Sequence, residues 1–149
     1  MKSIFERVDP ERLQEVPEGS VLLREGTTSG KLYVLAAGAL EILRGDTRVA
    51  VVTEPGAFFG EMSVLLDAPH TASVRALVPS RVYAFEDART FLRSDPDIAL
   101  VLARMLAQRL NAATTYLVDL KRQYGGGANH LGMVSEVLAS LIHNQEPEF

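Results

Sequence analysis

Cysteine is absent from all 149 residues, which excludes disulfides and thiolate metal sites. A chain without thiols suits a reducing compartment, and the cytoplasm is the expected location. Histidine is scarce. His70, His130 and His143 form neither a His-x-His nor a His-x-x-x-His pair, which argues against a cupin-like metal enzyme. Carboxylates are plentiful but suggest no paired acid–base arrangement, and the chain is expected not to be an enzyme. Long hydrophobic runs are missing too. The most apolar stretch, residues 32–40, falls far short of the roughly 20 residues that span a bilayer. Residues 1–7 lack the unbroken apolar core of a signal peptide. Basic residues never gather: the longest cluster is Lys121-Arg122, and the net charge is −4. A protein that grips DNA through its phosphates carries a basic face. Neither DNA nor a membrane is therefore an expected partner of this chain alone.

What is present is the composition of a compact domain, with 47% hydrophobic and 23% charged residues. Three zones follow one another. Residues 3–16 read as a short helix interrupted at Asp9-Pro10, with Ile4, Phe5, Val8, Leu13 and Val16 mostly three to five residues apart. Residues 20–86 are β-rich, with strands expected at 21–24, 31–35, 39–43, 48–52, 71–77 and 81–85. Turn signals at Glu25-Gly26, Ser29-Gly30, Gly38, Gly45-Asp46, Pro55-Gly56 and Pro79-Ser80 separate them. Many short strands at this spacing point to a rolled or closed β-structure. Inside this zone, residues 60–66 hold good helix formers behind one glycine and read as one or two helical turns.

The third zone is helical. A short segment runs from Glu86-Asp87 to Leu92. A long helix then opens at Ser94-Asp95-Pro96-Asp97, where a cap, a first-turn proline and an acidic residue coincide. No breaker appears before Gly125-Gly126-Gly127, a flexible joint followed by a small amphipathic helix at 131–142. The expected fold class is α+β, mainly β: a double-stranded β-helix or β-roll with an N-terminal helix, a short inserted helix and a long C-terminal helix. The expected division is 1–124 and 125–149.

The strongest chemical signal lies at residues 56–77. A glycine at a helix start lets a ligand approach bare N–H groups, and those donors with the helix dipole suit an anion such as phosphate. Gly60 holds that position. Glu61, in the first turn, can accept hydrogen bonds from sugar hydroxyls, and His70 and Thr71 return toward the same spot as further donors. Phe58 and Phe59 read as core.

These residues carry a family resemblance. F-G-E-M-S-V-L-L at 59–66, followed by P-H-T-A-S-V at 69–74, resembles the phosphate-binding cassette of cyclic-nucleotide-binding domains. V-L-L-R-E-G at 21–26 is similar to the family's opening strand and turn, and Leu32-Tyr33-Val34 with Gly38 resembles its hairpin. The resemblance implies a β-roll of the catabolite-activator type that binds cAMP or cGMP and needs no cofactor or metal. It implies that Gly60, Glu61, Met62 and Ser63 present the helix N-terminus, with Glu61 taking the ribose 2′-hydroxyl. Thr71 and Ala72 would sit by the cyclic phosphate, and Thr114, or its neighbour Thr115, would reach the base across a dimer.

One departure matters. The family's phosphate-clamping arginine falls on His70. Histidine lacks the permanent charge and planar fork, and charge-assisted hydrogen bonds of this kind contribute about 1.5–3 kcal/mol, or roughly 10- to 150-fold in affinity. Arg75, five residues further along the same expected strand, points to the opposite face by alternation.

Leu110, Ala113, Leu117, Leu120 and Tyr124 follow at steps of three and four, two heptads of an apolar seam. It reads as packing on the domain's own roll or as a homodimer interface, and the length of the helix favours the dimer. Two functions are consistent with the chain. The first is a stand-alone sensor: cyclic nucleotide shifts the segment after Glu86 and the long helix, and an unknown effector protein docks on 131–142. The second is a relative that keeps the roll and dimer helix purely for protein interaction. His70 favours the second.

Overall fold

A computed structural model describes residues 4–123 and 129–143, with side chains for all of these except 129–132 and 142–143. The chain divides into two compact units, Met1–Ala99 and Leu100–Phe149. The first opens with helix α1 (Ile4–Arg7) and a 3₁₀ turn (Pro10–Arg12). Strands β1 (Leu13–Val16), β2 (Val21–Leu23), β3 (Leu32–Ala37), β4 (Leu40–Arg44), β5 (Thr47–Val52) and β6 (Phe58–Phe59) follow. Helix α2 (Glu61–Leu66), strands β7 (Ser73–Ala76) and β8 (Ser80–Phe85), and helix α3 (Ala88–Ser94) complete it. The order in one sheet is β1-β8-β3-β6 and in the other β2-β7-β4-β5. Every pairing is antiparallel.

Strand alternation builds one core between the two sheets. Val16, Tyr33, Leu35, Phe59, Val82 and Ala84 of the first cluster with Leu23, Leu40, Val74 and Ala76 of the second. The architecture is the expected α+β roll. Gly38 shows how tightly it is wound: a Cβ there would lie 2.7 Å from Ser80 Cα, and the backbone φ is +109°. The Ser80 hydroxyl uses that space to accept a bond from Ala39 N at 3.1 Å.

Three sequence expectations change. Residues 13–16 are a strand, not the end of a helix. Asp9 caps only a single 3₁₀ turn, with Glu11 N donating to Asp9 Oδ1 at 2.9 Å, and Leu13 is already extended at φ −69°, ψ 128°. The chain then pairs with β8 from Leu13↔Tyr83 to Val16↔Ser80, and that ladder outweighs the helix-like spacing. Phe58–Phe59 is a further short strand, held by its register with Tyr33 and Val34. The strand expected at 71–77 begins only at Ser73, so His70, Thr71 and Ala72 belong to the preceding loop.

The helical zone follows its local signals. Asp87 caps α3 by accepting from Thr90 N at 3.3 Å and from Thr90 Oγ1 at 2.8 Å, bonds that hold its carboxyl below its ordinary pKa. Helix α4 (Pro96–Gln123) starts with Ile98 N donating to Asp95 Oδ1 at 3.2 Å. Arg7 braces that start through a 2.8 Å ion pair with Asp97. In the second unit, α4 from Leu100 onward leaves Leu110 and Ala113 exposed and Leu117 and Leu120 half-buried. Helix α5 (Asn129–His143) exposes Met133, Val137 and Leu141. Tyr124 of the apolar seam and the Gly125-Gly126-Gly127 joint lie outside the described residues. Among the described residues no helix is long and apolar enough to cross a membrane.

Candidate phosphate-binding site

The site is built where β6 turns into α2. Gly60 sits at φ +92° as the N-cap, with no side chain capping the helix. A Cβ at Gly60 would meet Lys31 O at 2.5 Å and Leu23 Cδ1 at 3.2 Å, so only glycine lets the turn lie against the start of β3. The first internal bond of α2 runs from Val64 N to Gly60 O at 3.3 Å. The N–H groups of Glu61, Met62 and Ser63 precede that ladder, as a helix start requires.

The side chains of this turn differ in their surroundings. Glu61 is buried at 6% exposure, whereas Met62 is half-exposed. Ser63 is buried, and its hydroxyl donates to Ala68 O, where the chain leaves α2. That exit also uses a left-handed Asp67 (φ 53°) and a 3.1 Å bond from Ala68 N to Ser63 O. The Ser63 side chain is thus committed to the helix exit. Its amide belongs to the helix start.

His70 is buried at 5% exposure and stitched to the loop between β2 and β3. Its N–H donates to Thr27 O at 2.8 Å, its carbonyl accepts from Gly26 N at 2.8 Å, and Nε2 lies 2.7 Å from Ser29 Oγ. Burial pushes the imidazole pKa below its ordinary value, favouring the neutral ring at pH 7. The Ser29 hydroxyl can donate to Nε2 or accept from it, so this contact survives protonation. Thr71 is exposed and Ala72 half-buried. Thr114 lies in the second unit, half-buried on α4, with Thr115 exposed beside it.

Arg75 lies on the outward face of β7, where with Arg48 it grips the carboxylate of buried Glu41. Hydrogen bonds from Arg75 first, then from Arg48, hold the Glu41 carboxyl below its ordinary pKa. Among the described residues, no group of three or more His, Asp or Glu is placed to hold a metal ion.

Three residues that sequence reasoning passed over join this region. Ser29 bonds His70 and also accepts from Lys31 N at 3.3 Å. Lys31 presents its carbonyl to Gly60 and its ammonium to Glu86 at 3.5 Å. Arg89 of α3 donates to Val64 O at 3.1 Å and lies 3.4 Å from Asp67 Oδ1, which ties α3 to the C-terminal end of α2. The turn signal at Ser29-Gly30 marked a loop, but no local pattern tells which distant residue a loop hydroxyl meets.

The family model of the cyclic nucleotide-binding domain matches residues 13–93, from β1 to α3. A "CRP-like cAMP-activated global transcriptional regulator" of Mycobacterium tuberculosis is 30% identical over 132 residues, covering 78% of this chain and 59% of that protein. A "cyclic AMP receptor protein" of Thermus thermophilus is 33% identical over 103 residues, covering 65% of this chain and 48% of its own length. The chain therefore spans about half the length of these relatives. Among solved structures, the Thermus thermophilus catabolite activator protein superposes with a TM-score of 0.60 at 23% identity. That match covers 95% of this chain and 85% of the other and shows a common fold.

Proposed function

Because the chain belongs to the cyclic nucleotide-binding domain family, whose model matches more than half of its residues, we propose that it is a regulatory, non-catalytic sensor of cAMP or cGMP. The single observation that carries this reading is the uncapped turn at Gly60, which only glycine can occupy against the Lys31 carbonyl, with Glu61 buried directly behind it. Amides of residues 60–63 and the Thr71-Ala72 segment receive the cyclic phosphate. Glu61 accepts from the ribose 2′-hydroxyl, and His70 contacts the phosphate in place of the family's arginine. The names of the two relatives above make cAMP the first ligand to test.

Signalling requires that ligand bind two conformations with different affinity. Arg89 supplies a physical connection, because it joins the end of α2 to α3 and so to the start of α4. The C-terminal helix moves in response, in a cytoplasmic protein whose sensing part is 1–124 and whose output part is 125–149. The exposed Met133, Val137 and Leu141 of α5 offer an effector protein an apolar surface. The seam on α4 makes a homodimer in which Thr114 or Thr115 reaches the base. Sedimentation tests the seam: the protein is expected to run as a dimer and a Leu117→Glu variant as a monomer, and a monomeric parent protein removes the interface.

Calorimetric titration with cAMP and cGMP at pH 6 and pH 8 tests the sensor itself. In the free protein burial lowers the His70 pKa, whereas an anionic phosphate beside it would raise that pKa in the complex. Binding then takes up a proton, so affinity is greater at pH 6 than at pH 8. Without ligand the sign is opposite: stability is full above the unfolded value of about 6.5 and declines as pH falls below it. Silence at millimolar ligand at both pH values would instead leave a protein-interaction module, a reading favoured by the burial of His70 against Ser29.

A further inference from the structure

A cyclic phosphodiester keeps its negative charge at any physiological pH, and in the free protein burial favours the neutral imidazole of His70, which brings no charge of its own to the incoming anion. The cations around the Gly60 turn can be sorted by what already holds them and by which way they face. Arg75 lies outward in the grip of Glu41. Arg89 is bonded at the opposite end of α2, to Val64 O. Arg24 lies just past the end of β2 and is exposed. Lys31 differs from all three. It precedes Leu32↔Phe85 in the β3–β8 register and shares the side of the strand occupied by Tyr33 and Leu35, both members of the core between the sheets. Its carbonyl abuts Gly60, and its amide shares the Ser29 hydroxyl with His70. Its ammonium lies 3.5 Å from a Glu86 carboxylate oxygen, an ion pair with both side chains substantially in water. Exposed pairs of this kind contribute little and exchange readily.

Resting on the cyclic-nucleotide reading above, we propose that Lys31 supplies the positive charge that meets the cyclic phosphate at Gly60, and that it leaves Glu86 to do so. The exchange has a consequence for α3. Glu86 directly precedes Asp87, the cap of α3, and Ala88 N donates to Gly30 O at 3.1 Å. The loop that carries Lys31 is therefore tied to the start of α3 twice, once by backbone and once by the ion pair. Ligand breaks the second tie while leaving the first.

The test is titration of the full chain with cAMP at fixed pH and two salt concentrations, for the parent protein, Lys31→Gln, Lys31→Arg and Glu86→Gln. Lys31→Gln is expected to weaken binding about 10-fold or more and to flatten its salt dependence, because a charge-assisted contact is removed. Lys31→Arg stays within about 3-fold of the parent protein, since charge is retained. Glu86→Gln, which frees the ammonium, tightens binding about 2- to 5-fold, the worth of an exposed ion pair. A folded Lys31→Gln variant that binds like the parent overturns this assignment and leaves the sensor reading standing. A Glu86→Gln variant that binds equally or more weakly overturns the exchange, even where Lys31→Gln does not fold. Absence of any binding by the parent protein overturns the sensor reading and this inference together.

Discussion

A Gly60→Ala variant is expected to melt about 6–12 °C below the parent protein and to lose cyclic nucleotide binding at concentrations that saturate the parent. Two costs add at this position. The backbone holds φ at +92°, where an L side chain costs of order 1–3 kcal/mol. The new Cβ would also stand 2.5 Å from Lys31 O, a main-chain atom at the start of β3 that cannot rotate away as a side chain would. Together these come to about 3 kcal/mol, a large share of the 5–15 kcal/mol that holds a domain together. Relieving the clash pushes the α2 turn away from Lys31 and His70, which disperses the donors proposed to receive phosphate. Thermal denaturation followed by circular dichroism, with calorimetric titration below the transition, measures both effects. A melting point within 2 °C of the parent's would mean that the loop before β3 yields, and the turn would then lose its claim to be a rigid cradle.

Phe85→Ala is expected to cost about 3–5 kcal/mol, comparable to or larger than the Gly60 effect. Phe85 ends β8 at 1% exposure, and its ring stacks on Phe91 of α3 with centroids 4.1 Å apart. The guanidinium of Arg12 lies 4.9 Å from the Phe85 centroid and 5.5 Å from that of Phe91. Truncation leaves a void under α3 and removes both the ring stack and one cation–π contact. Chemical denaturation gives the total loss, and limited proteolysis shows whether cleavage concentrates at α3. A loss below about 1.5 kcal/mol would show that neighbouring side chains collapse into the space, because an unrelieved cavity of this size costs more.

The two substitutions bracket the proposed route from ligand to helix. Gly60 governs the start of α2, Arg89 grips its end, and Phe85 with Phe91 seats α3, which runs into the capped start of α4. On the proposed reading, a ligand-driven shift of α2 passes through these bonded and packed neighbours, whose contacts must differ between the two ligation states.

Much of this was legible from residue order because the forces concerned act locally. Turn signals between short β-rich runs marked most strands of the roll, and Asp95-Pro96 marked the start of the long helix, since a turn, a cap and a fixed φ all act within a few residues. Gly60 followed by Glu61 marked the turn for the same reason. Tertiary structure alone decided the rest. Residues 13–16 became a strand because β8 was there to pair with them, and two phenylalanines became β6 because β3 was. His70 met Ser29 41 positions away, Arg75 met Glu41 34 positions away, and Lys31 came to stand between Gly60 and Glu86. A strand ladder or a buried polar contact takes its partner from whatever the fold brings within reach, and that choice leaves no periodic mark in the chain.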